Sequence, residues 1–279
     1  MRRHESLTPA DLAAFGLVGR PQRLPGGSAT TYRVGPVVLK HIRGTSLKNN
    51  HSPALASWIA ELSARLPDDG FRLPNGVPTR DGAWITPSGW TAWTFVTGRH
   101  ASAADIPACI PAITKLHAAL RSVPKHPLLD DGHTPWANAH RWSLGEPPDR
   151  IHPAVQPYVA ALYRLRTPVP HQPYQLIHGD LNPENILIAP DLPPAFIDLS
   201  PFWSPPKFAL AIFATWIGPR RGDMAALAHF QHLPHFHQWL IRAALRMLLV
   251  ISDAGHVTDW PTSPEHRAAE LVMNAVHLR

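Results

Sequence analysis

LIHGDLNPENILIAP, residues Leu176–Pro190, places a histidine, an aspartate and two asparagines between two short apolar runs. Apolar runs of that length, bounded by turn residues, read as buried strands, so the segment predicts strand, polar loop, strand. Asn185 stands five positions after Asp180, and Asp198, thirteen positions further on, closes the next apolar segment, AFID. That order of carboxylate, amide and carboxylate is what phosphoryl transfer with magnesium requires. Asp180 can orient an attacking hydroxyl and accept its proton. The amide oxygen of Asn185 and the carboxylate of Asp198 are hard ligands of the kind that magnesium takes while bridging phosphates. A bare turn built from Asn-Pro and Asp chemistry would not call for the downstream Asp198.

On the N-terminal side, RPQRLPGGSATTYRVGPVVLKHI (Arg20–Ile42) carries a Gly-Gly-Ser turn followed by two short segments, Thr30–Val34 and Val37–Ile42, which predict a β-hairpin behind a glycine loop. Apolar residues at Leu55, Trp58, Ile59, Leu62 and Leu66 have helical spacing. GAWITPSGWTAWTFVTG (Gly82–Gly98) alternates apolar and small polar positions around Pro-Ser-Gly and predicts a second pair of strands, with Trp84, Trp90 and Trp93 packing on strand faces. From Asp105 onward helices dominate, from DIPACIPAITKLHAAL to QWLIRAALRMLLVIS and PEHRAAELVMNAVHL. A strand-rich start and a helix-rich finish predict an α+β chain of two lobes, a small β-rich one over 1–97 and a larger helical one over 98–279.

The 279 residues suffice for one bilobal unit or two modest domains. A single cysteine, Cys109, excludes an intrachain disulfide and suits a reducing compartment. The first twenty residues lack the apolar stretch of a signal peptide, and Phe208–Ile217 is too short to span a bilayer, so a cytoplasmic protein without a membrane partner is expected. The net charge of +6 comes from scattered basic residues with no basic run, so no nucleic-acid partner is expected. His229, His232, His235 and His237 invite a metal reading, but Pro234 interrupts them and no cysteine or carboxylate sits among them, which favours surface or packing histidines.

With these parts in order, the sequence resembles the aminoglycoside phosphotransferase and protein-kinase-like superfamily, whose catalytic loop reads HGDxxxxN ahead of a metal aspartate on a following strand. The resemblance implies a bilobal protein-kinase-like fold, with ATP as nucleoside triphosphate, Mg2+ as the metal and a small-molecule hydroxyl as acceptor. It assigns Asp180 as catalytic base, Asn185 and Asp198 as magnesium ligands, and Lys40 as the phosphate-binding lysine. Gly26, Gly27 and Ser28 take the phosphate loop, where absence of a Cβ lets backbone amides approach an anion closely. Glu61 is the candidate partner of Lys40, and the backbone near Thr94–Val96, with Val96 as its marker, takes the adenine edge. LHAAL at Leu116–Leu120 also matches a helix segment of the family.

Departures accompany the match. Gly179 stands where protein kinases usually carry an arginine, so control by phosphorylation of an activation loop is not expected. Asp198 is followed by Leu199 and Ser200 rather than by Phe-Gly, and Phe208–Ala211 occupies the helix start where many relatives place a further aspartate. Ser57, one turn before Glu61, competes for the position facing Lys40. These departures keep a nucleotide-binding pseudokinase acting through protein interactions as the alternative. The acceptor is expected to be neutral or anionic, because residues 101–170 and 199–279 hold ten acids against fourteen lysines and arginines.

Overall fold

A computed structural model describes residues 6–24, 31–42, 52–67, 69–129 and 132–277; Gly26, Gly27 and Ser28 lie outside them. The chain divides into two compact units. One comprises Met1–Ser46, Asn50–Asp68 and Arg72–Thr97, and the other Leu47–Asn49, Asp69–Phe71 and Gly98–Arg279.

The first unit opens with helix α1 (Pro9–Ala14), whose capping box has Thr8 Oγ1 accepting from the Asp11 amide at 3.2 Å and the Asp11 carboxylate accepting from the Thr8 amide at 2.9 Å. Strands β1 (Gln22–Arg23), β2 (Thr31–Val34) and β3 (Val37–His41) follow, and β2 and β3 form the expected hairpin with Val34 opposite Val37 and Thr31 opposite Lys40. Gly35, at φ +57°, supplies the left-handed residue its tight turn needs. Alternation along β3 buries Val37, Leu39 and His41 and puts Lys40 on the other face. Helix α2 (Pro53–Arg65) is capped by Ser52, whose Oγ accepts from the Leu55 amide at 3.1 Å.

Strands β4 (Gly76–Val77) and β5 (Trp90–Thr94) complete an antiparallel sheet in the order β1-β2-β3-β5-β4. The expected partner of β5 within 82–88 is not a strand. Those residues form successive turns, with the Thr79 amide donating to Ala83 O at 2.7 Å and the Gly89 amide to Thr86 O at 2.9 Å, and Pro87 has no amide to give a ladder. Trp84 accordingly sits half-buried outside any strand, whereas Trp90 is buried against Tyr32 and His41. Helix α2 seats on β4 at Gly76, where a Cβ would come within 2.3 Å of Ala60 O. Ser63 Oγ joins the two elements, donating to Ala60 O at 2.9 Å and accepting from the Gly76 amide at 3.0 Å. The core is Phe15, Val34, Val37, Leu39, Trp90 and Ala92. Each large aliphatic side chain buried there stabilises the unit by about 1.5–3 kcal/mol relative to exposure.

The second unit begins with β6 (Arg99–His100) and helices α3 (Ile106–Leu120), α4 (Pro135–Leu144) and α5 (Gln156–Leu165). Strands β7 (Gln175–His178), β8 (Ile186–Ile188), β9 (Ala195–Phe196) and β10 (Pro201–Ser204) precede α6 (Pro206–Ile217), α7 (Phe236–Asp253) and α8 (Pro264–His277). β7 pairs antiparallel with β10, and β8 lies between β6 and β9. Helix α7 is buried on nearly every side and packs on α4, α5, α6 and α8, which explains its continuous apolar text. Cys109 is buried in α3, and burial pushes its thiol up to about 12, so it is a packing residue.

His229, His232 and His235 are exposed, and among the described residues no group of three or more His, Cys, Asp or Glu is placed to hold a metal ion. No helix of the described residues is long and apolar enough to cross a membrane.

Candidate active site

The segment Leu176–Pro190 folds as β7, a polar loop closed by a 3-10 turn over Pro183–Asn185, and β8. Asn182 caps that turn, its Oδ1 accepting from the Asn185 amide at 3.1 Å. Local hydrogen bonding by asparagine thus builds the loop geometry that delivers Asp180 and Asn185 to each other.

Asp180 is 1% exposed. Asn185 Nδ2 donates to Asp180 O and to Asp180 Oδ2, both at 2.9 Å, and Asn182 Nδ2 donates to Asp180 Oδ1 at 3.2 Å. Both amide hydrogens of Asn185 are therefore committed to Asp180, and its Oδ1 is left as the acceptor end of the group. The Asn185 carbonyl in turn accepts from the Ile197 amide at 2.9 Å, which ties the loop to the residue before Asp198. Asp198 has φ +58°, a left-handed conformation that aspartate tolerates better than most residues and that is uncommon outside glycine. Ser200 Oγ donates to Asp198 O at 3.0 Å and braces that turn. An amide oxygen and a carboxylate held on two bonded segments match the donor set that magnesium takes, with phosphate oxygens and water completing it.

Two histidines stand behind the loop. His178 Nε2 donates to Ile197 O at 3.2 Å, which leaves Nδ1 to accept from the amides of Asp180 at 3.3 Å and Ser200 at 3.4 Å. One ring thus couples the Asp180 loop to the Asp198 turn. His117, from α3, accepts the His178 amide on Nε2 at 3.2 Å and is hydrogen-bonded to the Ile113 carbonyl. Burial, reinforced by His178, lowers its pKa to about 3.

Gly179 is glycine because no side chain fits: a Cβ there would lie 2.2 Å from Phe202 Cδ2 on β10. Its carbonyl accepts from Arg246 Nη2 of α7 at 2.6 Å. The roles of His117, His178 and Arg246 were not read from the sequence. The available signals were the histidine inside each matched motif and an arginine recurring at i, i+4 in an otherwise apolar helix, Arg242 and Arg246.

In the first unit, Lys40 is half-buried on β3, and its carbonyl accepts from Thr91 Oγ1 at 3.1 Å. Glu61 is ion-paired with Arg65 one turn along α2. Thr94 and Phe95 use their amides on Asn75 O and Pro36 O, whereas the Val96 backbone, just past the strand end, takes no hydrogen bond among the described residues.

An antiparallel β-sheet unit followed by a mainly helical unit with this loop is a kinase-like α+β fold. The family model described as "APH: Phosphotransferase enzyme family" matches residues 22–247, and the chain belongs to that family. Among solved structures it is similar to a thermostable mutant of aminoglycoside phosphotransferase APH(4)-Ia, with 14% identity over 95% of this chain and 96% of that one and a TM-score of 0.57. It is similar also to choline kinase LicA from Streptococcus pneumoniae, with 12% identity over 97% of each chain and a TM-score of 0.58. The spectinomycin phosphotransferase APH(9)-Ia, solved with ADP and spectinomycin, gives 12% identity over 96% of each chain and a TM-score of 0.53. At these identities the likeness is one of fold. No curated protein sequence matches.

Proposed function

We propose that the protein is a cytoplasmic, ATP- and magnesium-dependent phosphotransferase that moves the γ-phosphate of the nucleotide to a hydroxyl of a small neutral or anionic molecule. The observation that carries this reading is the bonding of Asn185 Nδ2 to Asp180, which orients a base and leaves the amide oxygen of Asn185 as one proposed metal ligand, with Asp198 on the adjoining turn as the other. Magnesium bound there would neutralise phosphate charge. Asp180 holds the acceptor hydroxyl and takes its proton, and most of the rate comes from positioning. Lys40 is the proposed ligand of the α- and β-phosphates, Glu61 its proposed carboxylate in competition with Arg65, and the Val96 backbone the proposed adenine contact. Gly26, Gly27 and Ser28 are the proposed phosphate loop. The pseudokinase alternative draws no support from a site whose base, amide and carboxylate positions are all filled.

Charge supports the acceptor class. In addition to the excess of bases over acids in the helical part, several acids there are already engaged. Asp105 holds Arg99 through two bonds of 2.7 and 2.8 Å, Glu265 holds Arg220 at 2.9 Å, and Asp253 accepts from Asn138 Nδ2 at 2.8 Å. A polycationic aminoglycoside needs free carboxylates. The test is a panel of hydroxyl metabolites and aminoglycosides screened for magnesium-dependent ADP release. Release is expected with a neutral or anionic compound and little with kanamycin-like ones; efficient turnover of the polycations, falling as salt screens the attraction, would refute the assignment of acceptor class.

Asp198→Ala is expected to raise the dissociation constant of ATP in magnesium at least about tenfold, with a much smaller change when magnesium is chelated, because it removes a direct metal ligand. Calorimetric titration with and without magnesium measures this. Equal binding by wild type and variant in magnesium would move the metal site elsewhere.

A further inference from the structure

Arg246 is 2% exposed, and its guanidinium carbon stands 4.7 Å from the centre of the Trp136 ring and 5.3 Å from that of Phe202. Among the described residues its hydrogen bond is the one to Gly179 O, and Nε has no partner. Beyond that carbonyl and the charge of Asp180, which favours the cation, its surroundings do not call for a charge. Trp136 Nε1 and both ring nitrogens of His140, which stacks on Phe202, are likewise buried without partners. Burying a guanidinium costs more than one neutral acceptor and two aromatic faces return, and apolar side chains of similar volume often fill such positions without loss of stability. Packing therefore does not explain why α7 carries an arginine here.

The geometry of one peptide unit does. The carbonyl of Gly179 and the amide of Asp180 belong to the same planar group. Arg246 binds its oxygen at 2.6 Å, and His178 Nδ1 binds its N–H at 3.3 Å. A planar unit held at both polar ends cannot rotate, so the N–Cα bond from which Asp180 continues is fixed in direction. The loop cannot supply that cation itself, because Phe202 excludes any side chain at Gly179. Burial lowers the pKa of Arg246 to about 10, with the Asp180 charge acting in the opposite sense, so the side chain stays a cation at neutral pH.

We propose that Arg246 is a positioning residue for phosphoryl transfer, acting with His178 to clamp the Gly179–Asp180 peptide and aim the Asp180 carboxylate at the acceptor hydroxyl. This rests on the phosphotransferase reading of Asp180. The role is specific to the charge and reach of the side chain, so it separates from folding.

Arg246→Met, Arg246→Lys and Asp180→Asn are compared with wild type for denaturant midpoint, dissociation constant of magnesium-ATP, and ADP release with each compound of the acceptor panel. Arg246→Met is expected to keep its midpoint, to bind ATP within about threefold of wild type, and to lose about 10- to 100-fold in turnover with little change in acceptor KM. Arg246→Lys is expected to recover part of that loss, since an ammonium can reach the carbonyl without reproducing the guanidinium plane. Wild-type turnover in Arg246→Met would overturn the proposal. So would a fall in midpoint and ATP affinity that accounts for the lost turnover and is shared by Arg246→Lys. If wild type releases no more ADP than Asp180→Asn with any compound, the phosphotransferase reading itself fails, and this role with it.

Discussion

Asp180→Asn is expected to lower turnover by about a hundredfold to ten-thousandfold while leaving ATP affinity nearly unchanged. The substitution preserves shape and removes the proton acceptor. It also reverses one polarity: Asn182 and Asn185 donate to Oδ1 and Oδ2 of Asp180 at 3.2 and 2.9 Å, and an amide at this position has only one oxygen to receive them. The new NH2 group must face a donor, which loosens the loop as well as disabling the base. Nucleotide affinity is spared because the proposed phosphate and metal contacts belong to Lys40, Asn185 and Asp198. Single-turnover phosphotransfer and equilibrium titration with ATP separate the two quantities. Retained turnover would remove Asp180 from the chemistry, and a large loss of ATP affinity would mean that it holds the nucleotide rather than the acceptor.

The loop that carries this prediction was legible in the sequence because its polar residues interrupt two apolar runs at fixed spacing, and local rules governed the result. Asn182 caps its own turn, and the strands either side are β7 and β8 as the pattern requires. The hairpin of β2 and β3 and the helices α2, α3, α7 and α8 were readable for the same reason: periodicity and punctuation are local. The partner of β5 was not. Residues 82–88 alternate like a strand, yet Thr79, Ala83, Thr86 and Gly89 close hydrogen bonds within turns, and the edge goes to Gly76–Val77, two residues with no alternation to detect. Nor was the network behind Asp180 legible. His117 reaches His178 across 61 positions and Arg246 reaches Gly179 across 67, distances at which only the packing of α3 and α7 against the loop decides what touches what. A buried arginine in apolar helical text signals that something polar waits opposite, without saying what.

The same network gives the fold a dependence on pH. His117 and His140 are fully buried and held neutral. Burial, with His178 adding to it, lowers the first to about 3, and burial, with Arg246 and Arg141 adding to it, holds the second well below the usual histidine range. In the unfolded chain both titrate near 6.5. Between that value and their folded values the unfolded chain binds more protons than the fold, so stability is fully present above about pH 6.5 and is lost as pH falls. From pH 7 to pH 5 a histidine that stays neutral in the fold, as His117 does, costs about 2 kcal/mol, and His140 adds a loss of the same sign. Asp105 and Asp11 do not offset this, because their carboxyls, held below the ordinary range, lose their contribution only at pH values below about 4. Denaturant unfolding at pH 7 and pH 5 measures the fall. His140→Phe separates the two contributions: the ring stacks on Phe202 at 4.4 Å and neither of its nitrogens has a partner, so phenylalanine fits the site without stranding a polar atom. The variant is expected to be at least as stable as wild type at pH 7 and to lose less than wild type between pH 7 and pH 5. A fall in the variant equal to that of wild type would show that His140 is protonated in the fold and that its packing against Phe202 is not dry.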